Sequence, residues 1–320
     1  ERCSGATSAG RRSFHATAVL RRPTSSQPGV RLGSIHGSGR RMVAQAPAWR
    51  TVDRLRLHRP ACRALPEAAL QSIAAYPPRD FLVFGVTVVA ATALVKFFKV
   101  LAVREVVDQG LSRKLVHIFS GPLYVLAWPL FSLDPNARVI AACVPTLNFM
   151  RLLLVGCGIL EDQGLVKSVS RSGDKSELLK GPLYYCVVLS TVCLLCWRGT
   201  PAGIVTISLL CGGDGLADVV GRRFGSIKIP YNKSKSWAGS IAMFAGGSAM
   251  SVGLISLYSF LGFLPSYPGD QLLIYVCSVA LLATIVESLP INQAVDDNIS
   301  VPVVSLLLST FLALQLKLTS

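Results

Sequence analysis

The sequence has little charge. Only 15% of its 320 residues are charged, 51% are hydrophobic, and the mean hydropathy is +0.51. Soluble domains average roughly 25% charge, so the composition argues against a water-soluble enzyme. Known phosphate-binding signatures are missing too. No G-x-x-x-x-G-K-[ST] stretch occurs, which excludes a P-loop enzyme. No glycine-rich kinase loop with an H-R-D partner occurs either. Cys193-Leu-Leu-Cys196 lacks a surrounding βαβ pattern, so this C-x-x-C has no redox or metal context. Seven of the nine cysteines lie in apolar runs, where a free thiol behaves as a small hydrophobe. The first 80 residues contain no Lys and only four acids against 14 Arg, a net of +10; the rest of the chain carries +5. Positive charge is therefore gathered in an Arg-only tail and not spread over a folded face, which argues against nucleic-acid binding.

The tail reads as an address. Residues 1–63 are rich in Arg, Ser, Ala and Gly, with Arg pairs at 11–12, 21–22 and 40–41. The unbroken apolar core of a secretory signal is absent. The composition matches an organellar transit peptide, and Ser richness with loosely placed Arg points to the chloroplast over the mitochondrion. The expected organisation is a disordered chloroplast transit peptide over 1–63, a linker over 64–80 and a transmembrane domain over 81–320. A disordered basic arm is the alternative for the tail.

Eight apolar runs follow, at about 81–103, 115–132, 138–160, 182–198, 202–220, 238–263, 271–289 and 299–316. A spanning helix needs roughly 20 apolar residues. The runs are continuous, not alternating, which favours helices over a barrel. The expected fold is all-α: a polytopic integral membrane helical bundle with seven to eight transmembrane helices. With eight spans, connectors 104–114, 161–181, 221–237 and 290–298 share one face. Only the short 133–137, 199–201 and 264–270 lie on the other. All the long, charged connectors thus fall together, and chemistry is expected on their side. Connector 221–237 holds Arg222, Arg223, Lys228, Lys233 and Lys235 with no acid. Positive charge assigns that face to the uptake side, the stroma for a plastid protein.

Charges inside spans are costly and usually functional. The densest cluster is Cys211-Gly-Gly-Asp-Gly-Leu-Ala-Asp-Val-Val-Gly-Arg-Arg-Phe-Gly225. Asp214 and Asp218 are four apart, so a helix places both carboxylates on one face. Gly212, Gly213 and Gly215 permit close approach of another backbone or a phosphate. Arg222 continues the stripe, and Arg223 follows it. Two carboxylates beside fixed cations suit Mg²⁺ on a polyphosphate, with Arg and Lys clamping the remaining oxygens. An internal Asp–Arg pair at a span end is the purely structural alternative. Further along, Asn232 with Pro230 breaks regular structure, Lys233 and Lys235 suit phosphate, and Ser236 or Ser240 is placed to cap the next helix. Lys228 and Lys180 add cations to this face. Arg151 shares a helix face with Asn148 and either reaches phosphate or snorkels. His117 is a base, a phosphate donor or an interfacial histidine. Glu287 and Asp296-Asp297-Asn298 bring acids that hold a second metal or pair with the 221–237 cations.

Several stretches together carry a resemblance. Ser112-Arg-Lys-Leu-Val-His117, Glu177-Leu-Leu-Lys-Gly-Pro-Leu-Tyr184, Gly212-Gly-Asp-Gly-Leu-Ala-Asp218, Ile229-Pro-Tyr-Asn232, Lys235-Ser-Trp-Ala-Gly-Ser240, Val286-Glu-Ser-Leu-Pro290 and Asp296-Asp-Asn-Ile-Ser300 occur in order. The chain resembles the polyprenol kinase family over about 110–302, nearest its plant phytol kinase branch and close to farnesol kinases. More distantly it is similar to dolichol kinases and phosphatidate cytidylyltransferases, which use CTP. The resemblance implies a multi-pass chloroplast membrane enzyme that makes phytyl phosphate from phytol and feeds tocopherol synthesis. CTP, an isoprenoid alcohol and the bilayer are the implied partners, and Mg²⁺ the cofactor. Asp214 and Asp218, with Glu287 as a further candidate, would hold the metal; Asp214, Asp218 or His117 would take the alcohol's proton. Arg222, Arg223, Lys228, Lys233 and Lys235 would neutralise the transferred group. The rival readings are a farnesol or geranylgeraniol kinase, a cytidylyltransferase attacking the α-phosphorus, and an ion-coupled transporter.

Overall fold

Prolines open three of the long helices. Pro78, Pro182 and Pro201 sit in the first two helical positions, where a missing N–H is no loss and the fixed φ suits the helix. Others start on side-chain caps. Asp108 accepts from Leu111 N at 2.9 Å, Ser236 from Gly239 N at 3.2 Å and Asp296 from Asn298 N at 2.9 Å. The computed structural model describes residues 77–170, 173–290, 295–316 and 318. The transit-peptide expectation for 1–63, and the 64–80 linker up to residue 76, lie outside the described residues.

In order, the elements are α1 (Pro78–Val103), α2 (Gln109–Ala127), α3 (Ala137–Gly156), a short α4 (Gln163–Val169), a 3₁₀ turn (Lys175–Leu179) and α5 (Gly181–Leu195). Then come α6 (Pro201–Ser208), a π-helical turn (Leu209–Gly213) and α7 (Asp214–Phe224), which form one continuous helix. An antiparallel hairpin of β1 (Lys228–Ile229) and β2 (Asn232–Ser236) leads into α8 (Trp237–Phe260), α9 (Gly269–Ser288) and α10 (Asp297–Gln315). Among the described residues, seven helical stretches are long and apolar enough to cross a membrane. The fold is the expected all-α membrane bundle. α2 falls at the remaining expected span, but its first half carries Arg113, Lys114 and His117 and is too polar to count among the seven.

The continuous α6–α7 helix is the axis of the bundle. It is 78% buried across its most apolar window, against 17–39% for the other six spans. Its sequence is mostly apolar and carries no charge before Asp214, as a helix enclosed by others requires. With little hydrophobic drive between helices in lipid, close packing must hold them. Gly121 of α2 lies against the π-helical turn, and a Cβ there would come within 2.1 Å of Cys211 Sγ. Gly121→Val is therefore expected to destabilise the bundle, since overpacking typically costs about 1–3 kcal/mol. Thermal unfolding in detergent checks this; an unchanged midpoint would show that α2 does not pack this tightly.

The two ends of the bundle differ as the connector lengths suggest. One end is closed by Arg198, whose guanidinium donates to the carbonyls of Trp128 at 3.2 Å, Phe131 at 3.1 Å and Ser132. Its carbon centre lies 4.8 Å from the Phe263 ring and 5.3 Å from that of Trp197. Arg198 thereby satisfies carbonyls left open where α2 ends. Asp80, fully buried, accepts from the amide and hydroxyl of Ser132 at the same end. The opposite end gathers the long connectors and most of the remaining charge.

Candidate active site

The π-helical turn ends at Asp214, which is only 8% exposed. Turns of this kind recur at functional sites because they re-aim the residues that follow. Lys114 of α2 donates to Asp214 Oδ2 at 3.2 Å and stands 3.8 Å from Asp218 Oδ2. The two acids therefore do share a face, and one ammonium lies against both. His117, one turn beyond Lys114, has Nε2 2.9 Å from the Leu210 carbonyl oxygen and 3.5 Å from Asp214 Oδ2. The carbonyl partner assigns the proton to Nε2 in the neutral ring and leaves Nδ1 as the acceptor. The His117 ring also lies 4.6 Å from that of Tyr185, whose hydroxyl meets Ser120 Oγ at 2.8 Å. Asp218 is held on its outer side by Arg222 Nε at 2.9 Å, the i,i+4 pair that the spacing suggested.

A second group of charges adjoins Asp214. Lys235, on β2, donates to Glu287 Oε1 at the end of α9 and to Asp297 Oδ2 at the start of α10, the latter at 2.9 Å. Burial alone would lower the Lys235 pKa, but these two carboxylates outweigh it and hold the amine above its ordinary value. Asp214, Glu287 and Asp297 each offer a carboxylate oxygen, and the three oxygens lie within 4.8 Å of one another. Hard oxygen donors in a compact, partly buried group suit Mg²⁺. Of the acids expected near a metal, Asp214, Glu287 and Asp297 lie in this group, whereas Asp218 lies outside it, beside Arg222 and Lys114.

Beside Asp214 lies a cavity of about 820 Å³. Its charged lining comprises Arg113, Lys114, Arg151, Lys180 and, from α1, Lys96 and Lys99, together with the acids Asp162, Glu177, Asp214, Asp296 and Asp297. Its inner walls are apolar, with Val88, Leu123, Val144 and Leu189. Arg151 meets Asp162 Oδ2 at 2.5 Å, and this bond holds the Asp162 carboxyl below its usual range. One compartment therefore joins a charged rim to an apolar interior between helices.

The other candidate residues have different places. At Gly212, Gly213 and Gly215 neighbouring helices approach closely. A Cβ would approach Met250 within 2.7 Å at Gly212, Met243 within 3.3 Å at Gly213 and Ile118 within 2.2 Å at Gly215. Ser236 caps α8 through Gly239 N. Asn232 donates its amide to the carbonyls of Ser288 at 3.0 Å and Leu289 at 3.2 Å, tying the hairpin to the end of α9. In this structure these five are engaged in packing, capping and anchoring. Arg222, Arg223, Lys228 and Lys233 are exposed and stand apart from the cavity lining. Lys114, Lys96 and Lys99 had no assigned role. The 96/99 spacing puts both lysines on one face of α1, a signal that was present but reads equally as a charged span end.

Fold and site define a class: a polytopic membrane protein with carboxylates, a histidine and lysines at the rim of an amphiphilic cavity. No protein-family model matches the chain, and no solved structure matches it. Curated relatives do. The chain is 50% identical over 222 residues to the probable phytol kinase, chloroplastic, of Triticum aestivum, covering 69% of this chain and 74% of that protein. It is 51% identical over 217 residues to phytol kinase 1, chloroplastic, of Arabidopsis thaliana, covering 68% and 71%. It is 44% identical over 228 residues to the farnesol kinase, chloroplastic, of Arabidopsis thaliana, covering 71% and 74%. The chain belongs to the phytol kinase and farnesol kinase family, a group of alcohol phosphotransferases. With seven membrane-length helices and relatives named chloroplastic, it is a multi-pass chloroplast membrane protein.

Proposed function

We propose that this protein transfers the γ-phosphoryl group of CTP to phytol, yielding phytyl phosphate for tocopherol synthesis. The observation that carries this reading is the cavity: its apolar lining meets Asp214, Lys114 and His117 among charges of both signs. An isoprenoid chain fits between helices there and presents its hydroxyl to the polar end. Phosphoryl transfer depends on positioning and charge neutralisation more than on covalent help from the protein.

His117 takes the alcohol proton at Nδ1, its ring fixed by the Leu210 carbonyl. The alcohol oxygen then bonds to the γ-phosphorus as the bond to the β,γ-bridging oxygen breaks, and CDP leaves. Lys114, Arg113, Arg151 and Lys180 line the rim where the phosphates would lie. Asp214, Glu287 and Asp297 would hold Mg²⁺, which when bound supplies charge neutralisation to the phosphates. Lys235, in contact with two of these acids, keeps that group assembled. The acids sit at one end of the bundle, whereas a coupled transporter holds them near the midplane.

The test uses purified protein in detergent, four labelled nucleoside triphosphates and a panel of phytol, geranylgeraniol and farnesol. CTP with phytol is expected to give the highest kcat/KM. Preference for farnesol or for ATP would overturn the finer assignment while leaving the alcohol kinase intact.

A further inference from the structure

Lys235 differs from its neighbours in the basic connector. Lys228 and Lys233 are exposed, but the Lys235 ammonium is inside the acid group, bonded to Glu287 and Asp297. The Glu287 side chain is only 4% exposed. With Asp214 added, three carboxylate oxygens lie within 4.8 Å of one another. Like charges this close, withdrawn from water, repel strongly and need a cation among them. A lysine and a divalent ion therefore compete for the same oxygens.

We propose that Lys235 is a placeholder cation: it keeps Glu287 and Asp297 together until a divalent ion binds, then surrenders both carboxylates and turns toward phosphate. The inference rests on the reading of Asp214, Glu287 and Asp297 as metal ligands. The hairpin suits this exchange. Ile229 is 1% exposed and Asn232 anchors β2 to the end of α9, so the backbone stays fixed. Only the four-carbon stem of Lys235 has to move, and an ammonium is a compact charge that rehydrates readily. A site that is competent only when the lysine has left binds its ion more weakly by that fraction. Lys235 is thus a positioning residue that sets the apparent metal affinity.

Mn²⁺ binding to the full chain in detergent, followed by electron paramagnetic resonance, tests the exchange without turnover. Lys235→Met is expected to bind Mn²⁺ about tenfold more tightly than wild type, because the competitor is gone. Its melting temperature without metal should fall, and Mn²⁺ should raise it by more than it raises that of wild type. Lys235→Arg, whose guanidinium grips carboxylates more firmly, should bind Mn²⁺ more weakly. Equal or weaker binding by Lys235→Met would overturn the proposal. If Lys235→Met does not fold, Lys235→Arg decides: weaker binding supports the exchange and unchanged binding overturns it. A separate control, Asp297→Asn, must lose Mn²⁺ affinity. If it does not, or if wild type binds no Mn²⁺, the metal-site reading itself fails and the exchange falls with it.

Discussion

Asp214→Asn is expected to lower kcat about a thousandfold while leaving the bundle folded, a scale set by loss of a preorganised charge at the reacting centre. The substitution keeps the shape of the side chain and removes its charge. It affects three partners together: Lys114 at 3.2 Å, His117 at 3.5 Å and the carboxylate group with Glu287 and Asp297. Asp218→Asn, by contrast, should cost about a hundredfold, since Asp218 sits one turn outward with Arg222 as its nearest partner. Steady-state kinetics with thermal unfolding of both variants checks the order. Near-wild-type turnover in Asp214→Asn, or a larger loss in Asp218→Asn, would displace the centre from the π-helical turn.

Lys114→Met should reduce kcat/KM for the nucleotide about a hundredfold, through a rise in its KM as well as a fall in kcat. Lys114 is the ammonium nearest both Asp214 and Asp218, and it lines the cavity mouth. Removing it leaves two partly buried acids without that partner and takes one cation from the path of the phosphates. The KM for the alcohol should change far less, because the apolar walls are untouched. Lys114→Arg should recover part of the loss by restoring the charge. A variant that melts earlier yet keeps its nucleotide KM would mark Lys114 as a structural ion-pair partner only.

The sequence reached these residues unevenly, for physical reasons. Seven spans were legible because a helix in lipid must be apolar along its whole length, and that pattern leaves little ambiguity. α2 was placed several residues too late, since its first turns carry the site's own charges and break the apolar run. Asp214 and Asp218 could be paired because a helix fixes where residues four apart will point. Lys235 with Glu287 and Asp297 could only be offered as one option, because those partners are 52 and 62 residues away in sequence. The glycines carry an ambiguity of another kind. A missing side chain shows that something comes close, but not whether it is a phosphate or Met250. Lys96 and Lys99 were overlooked because charge at a span end has an ordinary topological use.

The central claim is that a lipid alcohol attacks a nucleotide's terminal phosphate at the rim beside Asp214. The most direct measurement incubates purified protein, Mg²⁺ and phytol with CTP labelled in turn at its α- and γ-phosphates. The account predicts γ-label in the lipid product and α-label in CDP, with both products forming about a thousandfold more slowly in Asp214→Asn. α-Label in the lipid with release of pyrophosphate, or no nucleotide consumed at all, would contradict it.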